Sequence, residues 1–181
     1  MGFTFYSGHP GLDLAGTVGH RDRADCYDLL DGPDALRRWL SAAGLLDEAP
    51  PVDAAELAAS VALREVIYRL AMAHARHTPA DPADRAALNL AAEPAPIRVR
   101  LLDDGRVTRT GDPASARSTL ARATVELLGG PAGDQLKECD SEPCTRLFLD
   151  SSRRAARRWC DMRECGNRAK AAAYRGRHTP A

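Results

Sequence analysis

No run of apolar residues in the 181-residue chain approaches the length of a bilayer-crossing helix, so no helical membrane span is expected. The opening stretch MGFTFYSGHPGLDLAG has neither the basic n-region nor the apolar h-region of a secretory signal, and the expected location is the cytoplasm. Internal repeats and low-complexity tracts are also missing. Lysine is nearly absent, two residues against 23 arginines. Beside the abundant alanine, that bias fits GC-rich coding, so arginine alone is no sign of function. His9, Asp13, His20, Arg21 and Asp22 invite a catalytic reading, but no nucleophile elbow, phosphate loop or HExxH motif accompanies them. No enzyme is expected.

What is present is enough to fold. Hydrophobic residues make up 44% of the chain, sufficient for a core, and the length suits one compact domain plus a small module. The formal charge balances at 25 against 25, but unevenly. From Arg146 to Arg177 ten cations face three acids, an excess of seven positive charges that the rest of the chain must offset. Such a division points to a basic interaction module joined to an acidic body.

Four of the five cysteines lie in or beside that basic region. Cys139 and Cys144 form a C-x4-C pair, 15 residues intervene, and Cys160 and Cys165 form a second C-x4-C pair. Two short pairs at this separation are how two knuckles share one tetrahedral Zn2+. Two disulfides would use the same residues but are disfavoured in a reducing cytosol, and spacing alone does not exclude an iron–sulfur cluster. A structural zinc also answers a stability problem, since about 40 residues so rich in cations build little hydrophobic core. Leu147, Phe148, Leu149 and Trp159 are the expected apolar patch beside the ion. Cys26 is expected to be a buried small apolar residue.

The body reads as mainly helical. Phe3 to Tyr6 suggests a short strand. Asp31-Gly-Pro-Asp34 suits a helix start, with Leu36, Trp39, Leu40 and Ala43 at helical spacing behind it. Asp53 suits an N-cap with Glu56 as its box partner, opening an apolar stripe through Leu57, Val61, Leu63, Ile67, Leu70 and Ala71. His74 and His77 fall near its C-terminal end. Residues 83–92 and 115–128 read as further helices, and the alternation around Asp104-Gly105 reads as a hairpin. GGPAGD, residues 129–134, reads as a hinge. The expected architecture is therefore a mainly α chain with a small β-hairpin. A helical sensor or dimerisation domain would occupy residues 1–130, and a treble-clef-like four-cysteine zinc module residues 135–178.

The C-terminal motifs, CTRLFLD, SSR, RRWC and CGNRAK in register with the four cysteines, resemble the CGNR zinc-finger family over about residues 136–177. Members usually carry an N-terminal domain titled "putative stress-induced transcription regulator", and HPGLDLAGTVGHR, residues 9–21, is similar to the opening of that ABATE-like domain. Its usual form is LD-x-x-NT; here Gly16 stands where Asn is expected. The resemblance implies a bacterial DNA-binding regulator.

Within the module a first knuckle, a hairpin through Leu147–Leu149 and Arg158–Trp159, a second knuckle and a helix over about residues 164–175 are expected. The loop SSRRAARR offers Arg153, Arg154, Arg157 and Arg158 to phosphates. Arg163, Asn167, Arg168, Lys170, Arg175 and Arg177 complete the candidate nucleic-acid surface. Asn167 and Arg168 are the residues suited to base edges, although Asn167 equally suits a brace for the second knuckle. Tyr174 reads as packing. Double-stranded DNA is the expected partner and a nucleoid-associated cytoplasmic protein the expected setting. A small-molecule effector near His9 and Asp13 and a homodimer complete the picture. Two alternatives remain: a thiol-redox zinc switch, and an RNA- or ribosome-associated protein.

Overall fold

The computed structural model describes residues 2–178, with side chains to Arg175. Six helices carry the chain: α1 (Pro10–Ala15), α2 (Pro33–Ala42), α3 (Ala54–Ala75), α4 (Pro82–Ala92), α5 (Pro113–Gly129) and α6 (Asn167–His178). Helices α1, α2, α4 and α5 each open on proline, whose fixed φ and missing N–H suit the first turn. Side chains cap the starts of the longer ones: Asp53 accepts from Glu56 N, and Asp112 forms a reciprocal box with Ser115. The box expected at Asp53 is only half made, because the Glu56 carboxylate turns to Arg117 instead.

Helix α3 is the axis of the body. Leu63, Val66, Ile67 and Leu70 recur along one face and pack against Leu36 and Trp39 of α2, Leu88 of α4 and Leu120 of α5. Trp39 is 1% exposed, the core residue its spacing predicts. On the same helix Arg64 is buried, held by both carboxylate oxygens of Asp28 at 2.7 and 2.8 Å and by Glu65 at 2.8 Å. The pairing fixes the two-residue strands β1 (Val18–Gly19) and β2 (Tyr27–Asp28) against the helix.

Three antiparallel pairs make up the β structure among the described residues. The second, β3 (Arg98–Leu101) with β4 (Val107–Thr110), turns at Asp104-Gly105 with Gly105 at φ +81°, as a hairpin sequence of that kind requires. The third corrects an expectation. β6 (Leu147–Leu149) pairs with β5 (Leu136–Glu138), not with residues 158–159. Among the described residues one backbone bond, Asp140 N to Arg158 O, reaches the latter segment.

Three further expectations are revised. Phe3 to Tyr6 forms no strand; the segment leads to Ser7, whose carbonyl accepts from Leu149 N of β6. Cys26 is exposed rather than buried, because it lies in the loop between β1 and β2. The GGPAGD stretch is no hinge: Pro131–Gln135 form a 3-10 turn with Gly133 buried. A Cβ at Gly133 would come 2.8 Å from His74 Nε2 and 2.9 Å from Leu127 O, so the turn is packed tightly on α3 and α5.

That packing continues into the zinc-module sequence. Leu12, Ala71 and Leu127 of the body share one buried cluster with Leu136 of β5 and Leu147 of β6. Arg146, beside β6, reaches back to Thr4 Oγ1 at 2.7 Å and Gly16 O at 3.1 Å. Its guanidinium occupies the space that a side chain at position 16 would need; a Cβ there would lie 2.7 Å from Arg146 Nη1. Glycine in place of the expected Asn thus makes room for this contact. Among the described residues no helix is long and apolar enough to cross a membrane.

Candidate metal centre

Cys139 follows β5, Cys144 closes a turn in which its N–H bonds Ser141 O, Cys160 ends the arginine loop, and Cys165 sits in a π-helical turn, Met162–Gly166, that leads into α6. These four distant positions bring their sulfurs within 4.8 Å of one another. The Cys144–Cys160 and Cys160–Cys165 separations are 3.7 and 3.6 Å. A tetrahedron with Zn–S bonds of about 2.3 Å has sulfurs about 3.8 Å apart, so the donor set fits zinc. Cys160 N–H also donates to Cys139 Sγ at 3.4 Å, the backbone support that orients a thiolate ligand. Bonds from Cys144, Cys160 and Cys165 lower the Cys139 pKa, while the same crowding raises those of Cys160 and Cys165. A divalent ion takes the place of the protons those thiols would otherwise keep.

A small core supports the cluster. Phe148 is fully buried against the cysteines with Trp159 beside it, whereas Leu147 faces the body cluster instead. Arg157 lies over the Phe148 ring at 4.7 Å, donates from Nε to Trp159 O at 2.8 Å and also reaches Cys160 O. Its side chain holds the second knuckle.

Two residues unassigned from sequence anchor the arginine loop. Asp150 is 1% exposed and accepts from Lys137 Nζ at 2.6 Å, Ser152 Oγ at 2.5 Å and Arg157 N at 2.8 Å. Lys137 Nζ also donates to Ala155 O at 2.5 Å. The one signal in the sequence is the acid of RLFLD, standing alone among arginines. Lys137, foremost, and Ser152 hold the Asp150 carboxyl well below the usual carboxylate range. A group depressed in this way contributes stability that is complete above the ordinary carboxylate pKa and is lost progressively as pH falls from there through the lowered value. Asp150→Asn is therefore expected to destabilise the zinc-loaded protein by the same amount at about pH 6 and about pH 8. Urea unfolding at both pH values checks this; a difference that changes across the interval contradicts it.

The other candidate nucleic-acid residues divide by environment. Arg153 and Arg154 project from the anchored loop, exposed, with no ion pair among the described residues. Arg163 and Lys170 are exposed as well. Arg158 is exposed but donates to Asp140 Oδ2 at 2.8 Å. Asn167 Nδ2 donates to Arg163 O at 2.8 Å, a brace across the start of α6. Arg168 is half-buried and lines a cleft with Tyr27 and Arg146. Arg175 is exposed, and Tyr174 is 58% exposed. The side chain of Arg177 lies outside the described residues.

His9 and Asp13 do sit together on the wall of a cleft of about 640 Å3, bounded also by Phe5 and Leu45. Both His9 ring nitrogens and one Asp13 oxygen are already engaged. His9 caps α1, with Nδ1 accepting from Gly11 N and Nε2 3.1 Å from Ala123 O, and burial lowers its pKa. Asp13 accepts from Ser7 N at 3.0 Å, and desolvation raises its pKa.

Residues 8–131 match the ABATE family model, described as "Putative stress-induced transcription regulator", and residues 135–178 match the CGNR zinc finger. No curated protein matches the chain.

Proposed function

The chain belongs to the ABATE family and ends in a CGNR zinc finger, and from that premise we propose that it regulates transcription by binding duplex DNA through the zinc module while the helical body receives a small-molecule or stress signal. The observation that carries this is the arginine loop. Asp150, Lys137 and Arg157 pin it from within, which leaves Arg153 and Arg154 outward on a rigid support. Arg158, Arg163, Lys170 and Arg175 extend the positive surface. A rigid metal core is what lets so small a unit hold a loop and a helix at a fixed angle to a groove. With four thiolates the ion has no open position, so its part is structural. Arg157 and Asn167 act inside this scheme as braces and not as contacts.

Phosphate contacts release counterions, so each one steepens the dependence of affinity on salt by about 0.9 in the log–log slope. Fluorescence anisotropy with a labelled duplex is expected to give a steep slope for the zinc-loaded protein. Arg153→Ala/Arg154→Ala is expected to lower that slope by about two, with zinc content unchanged. Identical slopes for the two proteins would remove the loop from the interface.

A further inference from the structure

A second cleft, of about 360 Å3, opens between α3, α4 and α5 on the body. Its floor is apolar, built from Leu70 and Leu88, both buried, and from Leu128, with Val125 at the rim. Its polar lining comprises Thr78, whose hydroxyl donates to Ala73 O, and three further side chains: His74 of α3, and Arg85 and Asn89 of α4. Among the described residues, none of the three side chains has a hydrogen-bond or ion-pair partner. No carboxylate is among the residues that line the cleft beside Arg85. The contrast with the His9–Asp13 cleft is chemical: there both His9 ring nitrogens and one Asp13 oxygen are bonded within the fold, here the three side chains have no such partner.

An apolar floor beneath a few convergent polar groups is the usual form of a small-ligand site, and helix bundles commonly build one between helices. A guanidinium, an imidazole and a carboxamide together supply donors for a carboxylate, with the guanidinium adding charge. We infer that this cleft binds an amphipathic organic acid, its carboxylate on Arg85, His74 and Asn89 and its apolar part on Leu70, Leu88 and Leu128. The site gives a place to the sensing half of the proposed function and rests on that reading of the body. Its position suits the role. Gly129, the last residue of α5, lines the cleft, and His74 also packs on Gly133 in the 3-10 turn that leads directly into β5 and the first knuckle. An occupant that moves His74 therefore presses on the connection between body and zinc module.

The test uses the zinc-loaded full chain and a panel of octanoate, benzoate and 3-phenylpropionate, with octan-1-ol as the neutral control. Binding is followed by calorimetry and by the NMR signals of the His74 ring. At least one acid is expected to bind saturably and shift the His74 signals, with octan-1-ol at least about tenfold weaker than octanoate. Arg85→Gln, a change at an exposed position that leaves the core intact, is expected to weaken the acid by about tenfold or more. Val125→Glu, which sets a carboxylate at the rim, should weaken acids more than the alcohol. If no acid in the panel perturbs His74, or if Arg85→Gln leaves acid affinity unchanged, the inference is wrong. These measurements contain no DNA, so they stand or fall separately from DNA binding. Acid binding that leaves DNA affinity unchanged would uphold the site and overturn only its role as the sensor.

Discussion

Cys139→Ser is expected to lose nearly all bound zinc and to unfold the region beyond β6 while leaving α1 to α5 folded. Cys139 is buried, its sulfur lies within 4.8 Å of the other three, and it accepts the Cys160 N–H, so its loss opens the tetrahedron and frees the second knuckle. Structural zinc contributes on the order of 10 kcal/mol, and among the described residues the cysteines pack otherwise only on Trp159 and on Phe148 of β6. The body keeps its own cluster around Trp39, Ile67 and Leu120. Metal analysis should therefore fall from about one zinc per chain to nearly none, and far-UV circular dichroism should retain most of its helical signal. DNA binding should disappear with the metal. A serine variant that kept zinc and DNA affinity would show that the four thiols are not a unit.

Leu147→Ala is expected to cost about 2–5 kcal/mol, a loss felt on both sides of the sequence boundary. Leu147 is 2% exposed and packs with Leu12, Ala71 and Leu127 of the body and Leu136 of β5. A cavity at this point weakens the seam that helps hold β6, and β6 carries Phe148, the residue packed on the cysteines. Urea unfolding should shift to lower denaturant, and zinc should become easier to extract by a chelator. If the midpoint moves while extraction does not, the seam does not couple the helices to the metal.

The distribution of what the sequence reveals has physical causes. Helix starts are legible because caps and N1 prolines act within a few residues: Asp53 and Pro33 mark their helices directly. The Asp104-Gly105 turn is legible for the same reason. The metal centre is legible because a tetrahedron of thiols restricts cysteine spacing. Strand pairing in the module is not, since β5 and β6 meet through contacts that no local pattern encodes, and the expected partner at residues 158–159 reaches the first knuckle, among the described residues, by one backbone bond. Asp150 does not stand out as an anchor because a carboxylate among arginines reads as a surface charge. Its burial follows from Lys137, 13 residues away in sequence. Arg157 reads as a phosphate contact because its sequence neighbours face outward, while its own guanidinium packs on Phe148. The hinge expected at GGPAGD does not form because Gly133 is small enough to sit against His74, a tertiary contact.

The proposed function makes zinc the builder of a surface that binds duplex DNA. Its most direct test is the affinity of the zinc-loaded and zinc-stripped chain for one mixed-sequence duplex and for an RNA hairpin of matched length, across a salt series. The zinc-loaded protein is expected to bind the duplex with an affinity that falls steeply as salt rises, to prefer it to the hairpin, and to lose both properties when the metal is removed. Salt-insensitive binding, a preference for the hairpin, or equal binding without zinc would contradict the claim.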